Sequence, residues 1–130
     1  MNAIIFARGN NIELQIEEGM KYAERQGYTV KGVIVGNGQE LTGAVKALQS
    51  VMKIDRIIAW NASRISRNAL ENYTIQAELE IDYGVLVETA NPRRKDEAFD
   101  NFMKNVVIAA REEARKTERR IKLRLGDYDI

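Results

Sequence analysis

Three arginines stand where strand-like apolar runs give out. Arg8 follows residues 3–7, AIIFA, and Arg64 and Arg67 follow residues 56–60, RIIAW. A guanidinium carries five N–H donors in a rigid fork, stays charged when partly buried, and matches phosphate oxygens two at a time. Taken singly, each arginine fits a carboxylate partner or a helix cap just as well. Three of them around one end of a sheet favour an anion site. The nearest hydroxyls are Ser63 and Ser66, within Ser63-Arg64-Ile65-Ser66-Arg67-Asn68.

Other chemistries lack their residues. The 130-residue chain has no histidine and no cysteine, which removes the commonest general base, thiolate chemistry and the usual soft metal ligands. Neither G-x-x-x-x-G-K-[ST] nor G-x-G-x-x-G occurs, and Gly36-Asn37-Gly38 reads as a turn rather than a nucleotide cradle. No cofactor and no metal are expected. Twenty basic residues face nineteen acidic ones, so net charge says nothing about a polyanionic partner; only the distribution can. No apolar stretch approaches a membrane span, no signal-peptide pattern opens the chain, and a cytoplasmic protein is expected.

The elements that must position these arginines alternate. Ile12, Ile16, Met20 and Ala23 predict a helix ending near Gly27, and residues 28–35 predict a strand. Leu41, Ala44, Ala47, Leu48 and Val51 trace a second helix, and residues 56–60 a third strand. Asn68 with Glu71 three residues on resembles a capping box. It opens a helix whose apolar face is Leu70, Tyr73, Ala77 and Ile81, stopped near Gly84. Residues 85–88 give a fourth strand. Such alternation predicts an α/β fold, a three-layer α/β/α sandwich on a mostly parallel sheet of four to five strands. Ligands of these sheets sit beyond the carboxyl ends of the strands, where strand order reverses. Arg8, Arg64 and Arg67 would meet there if the first and third strands are neighbours.

A last helix is expected over residues 96–125, which contain no glycine or proline, giving roughly 45 Å of helix. Phe99, Phe102, Met103, Val106, Val107 and Ala110 form its stripe. From Arg111 to Arg124 ten of fourteen residues are charged, seven of them basic. A small domain cannot cover so long a helix. Its second half suits a partner copy, a nucleic-acid backbone or plain solvent. The expected division is an α/β domain over 1–95, the long helix of the same domain over 96–125 and a tail over 126–130.

In order and spacing these motifs resemble the catalytic domain of serine recombinases, the resolvases and invertases. The likeness rests on Phe6-Ala7-Arg8, on Leu14-Gln15 and the helix running to Gly27-Tyr28, on Ser63-Arg64-Ile65-Ser66-Arg67-Asn68 against a D-R-L-S-R-like motif, and on Thr117-Glu118-Arg119 in the long helix. The resemblance implies an enzyme class in which a serine after the first arginine attacks a DNA phosphodiester. Several arginines hold the phosphate, no metal takes part, and paired subunits exchange strands. By position it makes Arg8, Arg64 and Arg67 phosphate ligands with Arg119 a further one. Arg115, Arg120, Lys122 and Arg124 would face DNA from the same helix.

The departures from that pattern are specific. Asn10 stands at the nucleophile position, and an amide cannot form the phosphoester link. The segment from Arg8 to Gln15 is shorter than the pattern requires. Ser63 replaces the motif's aspartate, Glu113 falls where a first helix arginine is expected, and the mobile loop after the second strand shrinks to Val35-Gly36-Asn37-Gly38. Relatives continue into a DNA-binding domain, whereas this chain is expected to lack one. Three readings follow. The chain is a degenerate recombinase domain that dimerises or binds DNA phosphates, with an active relative as a conceivable partner; or an active fragment with a relocated nucleophile such as Ser63; or an α/β module for a small phosphorylated ligand.

Overall fold

The computed structural model describes residues 1–91 and 105–116. Strand β1 (Asn2–Ala7) leads into helix α1 (Ile12–Gln26), β2 (Thr29–Val35), α2 (Gly38–Gln49) and β3 (Arg56–Ala59). A single 3-10 turn (Ala62–Arg64) then precedes α3 (Ala69–Tyr83) and β4 (Leu86–Thr89). A further helix, α4, spans 105–116.

All four strands are parallel, in the order β2-β1-β3-β4. The chain adds β2 on one side of β1 and then returns to add β3 on the other. Right-handed crossovers in opposite directions put their helices on opposite faces. Two separate cores result. Ile4, Phe6, Ile57 and Ala59 pack with Leu41 and Val45 of α2 and Ile75 and Leu79 of α3. Ala3, Ile5 and Ile58 pack with Ala23 of α1 on the other face. Each fully buried Ile, Leu or Phe contributes about 1.5–3 kcal/mol. The three-layer parallel α/β sandwich expected from the sequence is the fold observed, with four strands.

Several local expectations change. Asn37-Gly38 is not a free turn. Asn37 caps α2, accepting a hydrogen bond from the Glu40 N–H at 2.9 Å, and Gly38 is buried in the first helical position. A Cβ there would collide with the Ile65 carbonyl, so glycine lets α2 start against the loop after β3. The core face of α2 runs through Leu41 and Val45. Val51, predicted on that face, lies past the helix end and is 76% exposed. Leu70, in the first turn of α3, is 69% exposed. Trp60 falls just outside β3. The long helix expected over 96–125 is described over 105–116; its other turns, and the tail over 126–130, lie outside the described residues. Among the described residues no helix is long and apolar enough to cross a membrane.

Candidate functional site

The reversal of strand order falls between β1 and β3, which are hydrogen-bonded neighbours. Arg8 leaves β1 there, and Arg64 sits in the 3-10 turn after β3. The two hold each other's loops. The Arg8 guanidinium donates to the Ser63 carbonyl at 3.2 Å, and the Arg64 Nη1 donates to the Arg8 carbonyl at 3.0 Å. Both arginines are half-buried. Neither is ion-paired to a carboxylate among the described residues, whereas Arg56, Arg111 and Arg115 are. Arg67 lies three residues on, exposed, with no hydrogen bond or ion pair among the described residues.

The loop between β1 and α1 is held by one buried amide. Gln15 is 1% exposed. Its Oε1 accepts the Arg8 N–H at 3.0 Å, and its Nε2 donates to the Arg8 carbonyl at 2.9 Å and the Asn10 carbonyl at 2.7 Å. Gly9 and Asn11 take left-handed conformations, φ +79° and +59°, so the chain turns sharply at Asn10, whose side chain is exposed. A Cβ at Gly9 would lie 3.0 Å from the Arg64 Nη1; glycine both permits the turn and makes room for the guanidinium.

On its other side Arg64 meets Trp60. The guanidinium carbon lies 5.2 Å from the indole centroid, within cation–π range. The Trp60 Nε1 and Arg64 Nε are buried without a hydrogen-bond partner among the described residues. Sequence reasoning did not mark Trp60 as part of the site, because it reads there as the last residue of the third strand.

The two serines differ in setting. Ser66 is 7% exposed; its Oγ accepts the Asn68 N–H at 3.1 Å and its carbonyl accepts from Asn72 Nδ2 at 3.0 Å. It thus takes the N–H that the Glu71 side chain would claim in a full capping box, and Asn68 caps α3 through the Glu71 N–H alone. Ser63 Oγ donates to the Oδ1 of buried Asn61 at 2.5 Å.

Arg115 lies elsewhere. It and Arg111, one turn apart on α4, both pair with Asp82 in the last turn of α3, Arg111 at 2.9 Å. Asp82 follows Arg67 by fifteen residues, almost all helical, so about 20 Å separates this contact from the loop carrying the other arginines. Arg119, Arg120, Lys122 and Arg124 lie outside the described residues.

The parallel sheet, with its strand order reversing between β1 and β3 and helices on both faces, defines a doubly wound α/β domain. The sequence and the fold then place it more narrowly. Residues 7–125 match the Resolvase, N terminal domain family, and the chain belongs to it. Solved structures share the fold at low identity. The N-terminal catalytic domain of TP901-1 integrase superposes with a TM-score of 0.64 at 16% identity, covering 91% of this chain and 99% of that one. A resolvase family site-specific recombinase from Streptococcus pneumoniae gives 0.63 at 15% identity, covering 98% and 99%. The C-terminal catalytic domain of ISC1926 TnpA, an IS607-like serine recombinase, gives 0.56 at 20% identity, covering 88% and 98%. Among curated proteins nothing matches the chain.

Proposed function

We propose that this chain is a resolvase-type catalytic domain that retains phosphate binding and has lost DNA cleavage, acting as a DNA-backbone-binding and dimerising module that can pair with an active relative. One observation carries the reading: Arg8 and Arg64 hold each other's loops at the switch point, with no carboxylate paired to either among the described residues; beside them the exposed amide of Asn10 stands at the position that the resemblance gives to the serine. Arginine forks in this setting stabilise the charge of a phosphodiester with or without a nucleophile to attack it. The Ser63 hydroxyl donates to an amide, which has no basicity to activate it. That weighs against Ser63 as a relocated nucleophile. Arg67 extends the anion-binding surface, and the resemblance adds Arg119, Arg120, Lys122 and Arg124 as further DNA-binding residues, all outside the described residues. Arg115, paired with Asp82, contributes to the helix seat rather than to DNA.

The test is a supercoiled-plasmid nicking assay trapped for covalent protein–DNA adducts, run beside DNA binding titrated against salt. Salt-dependent binding without an adduct is the expected result. A covalent adduct would overturn the inactive reading, and its mapped residue would identify the replacement nucleophile. Absence of DNA binding, with phosphate still raising the melting temperature, would move the function to a small phosphorylated ligand.

A further inference from the structure

We propose that Trp60 is the positioning residue of the anion site, holding the Arg64 guanidinium by its indole face at the place where Arg64 meets a phosphate oxygen. The inference rests on reading the arginine pair as an anion site and adds to it the residue that fixes one arm.

Arg64 is confined on three sides. The Trp60 ring lies 5.2 Å from its guanidinium carbon, the Arg8 carbonyl accepts from Nη1 at 3.0 Å, and Gly9 leaves Nη1 only the space of a missing side chain. No carboxylate pairs with it among the described residues, so the aromatic face supplies the attraction that an aspartate would otherwise provide. Packing alone does not explain the choice of tryptophan. Its indole N–H is buried without an acceptor among the described residues, which is unfavourable and which phenylalanine or leucine would avoid. What tryptophan has over both is the strongest cation-binding face among the side chains. With Nη1 committed to the Arg8 carbonyl and Nε buried, Nη2 is the donor that Arg64 has left for a phosphate oxygen, and a guanidinium fixed over the ring presents it in one place.

Trp60 is the single tryptophan of the chain, so its emission reports directly on the site. Purified protein is titrated with inorganic phosphate and, separately, with a short unlabelled DNA duplex. Tryptophan emission and calorimetric affinity are followed together. The expected result is a saturable emission change with the same midpoint as binding, absent in Arg64→Ala. Affinity should fall in the order wild type, Trp60→Phe, Trp60→Leu, with the Leu variant roughly threefold to tenfold weaker. Urea midpoints of each variant separate this order from loss of fold. Should Trp60→Leu not fold, Trp60→Phe and the wild-type emission response decide. The proposal is overturned if Trp60→Leu or Trp60→Phe binds phosphate and DNA as tightly as wild type, if binding leaves the emission unchanged, or if the emission change survives in Arg64→Ala. If wild type binds neither probe, the anion-site reading itself fails and this inference falls with it, an outcome distinct from the others.

Discussion

Gln15, 1% exposed and polar, directs its whole amide at the loop after β1, meeting Arg8 through both N–H and carbonyl and Asn10 through its carbonyl. A buried amide fully satisfied in this way fixes backbone that no secondary structure fixes. Gln15→Leu keeps nearly the same volume and strands two backbone groups, the Arg8 N–H and the Asn10 carbonyl, while the Arg8 carbonyl keeps only Arg64 Nη1. The expected loss is about 2–4 kcal/mol, read as a lower urea midpoint, together with a weaker melting-temperature rise from phosphate because Arg8 is no longer held. A variant as stable as wild type would remove the lock from the account. The arginines were legible in the sequence because they follow apolar runs that end abruptly. Gln15 and Trp60 were less so, since their roles depend on how a loop folds back. Gln15 sits seven residues from Arg8 across a turn made by two left-handed residues, and the Trp60 ring reads as the end of a strand until the chain is seen to turn at Asn61.

Elements are joined by two polar clusters that the sequence could not display, because their members are far apart in it. On the α1 face Tyr22 and Tyr28 both donate to Glu88 of β4, each at 2.8 Å, and Arg56 of β3 reaches the same carboxylate at 3.3 Å. Burial, followed by the hydrogen bond to Glu88, pushes the Tyr22 hydroxyl from 10.0 up to about 12; the same causes raise Tyr28. The folded value exceeds the unfolded one, so the stabilisation is fully present below pH 10 and disappears as pH climbs toward 12. Alkaline unfolding midpoints should therefore fall steeply in that window, and Tyr22→Phe should flatten the dependence while lowering stability at neutral pH. An unchanged alkaline profile would mean that Tyr22 titrates freely. The second cluster, Asp82 between Arg111 and Arg115, ties α4 to α3. Asp82→Ala should cost about 1 kcal/mol and speed amide hydrogen exchange across 105–116 more than in α1 or α2. Uniform exchange in the variant would show that the helix is seated by other contacts. Periodicity found the helices because apolar stripes repeat locally. It misjudged Val51 and Leu70, where the stripe continues past the part of the helix that meets the sheet.

Across the whole molecule a net charge of +1 conceals an uneven distribution. Many acidic side chains are engaged: Glu88 by Arg56 and two tyrosines, Asp82 by two arginines, Asp55 by Lys53 and Glu17 by Lys21. Arg8, Arg64 and Arg67 have no such partners among the described residues and lie at one end of the sheet. Local charge of this kind is what a phosphate backbone senses, whatever the total. Each phosphate contact replaced by a protein cation releases counterions, and for duplex DNA the slope of log K against log salt changes by about 0.9 per contact. If all three arginines touch phosphate, the Arg8→Ala, Arg64→Ala, Arg67→Ala triple variant should bind with a slope shallower by roughly two to three. Because these contacts are to the backbone, the loss should be the same on unrelated duplex sequences. The single Arg67→Ala variant should take about one unit of slope and leave the urea midpoint unchanged, since that side chain is exposed and bonded to nothing among the described residues. Arg64→Ala, in contrast, should lower both, because it also releases the Arg8 carbonyl and uncovers Trp60. A triple variant with the wild-type slope would place the DNA contacts outside these three arginines and return the Arg8–Arg64 pair to the task of joining two loops.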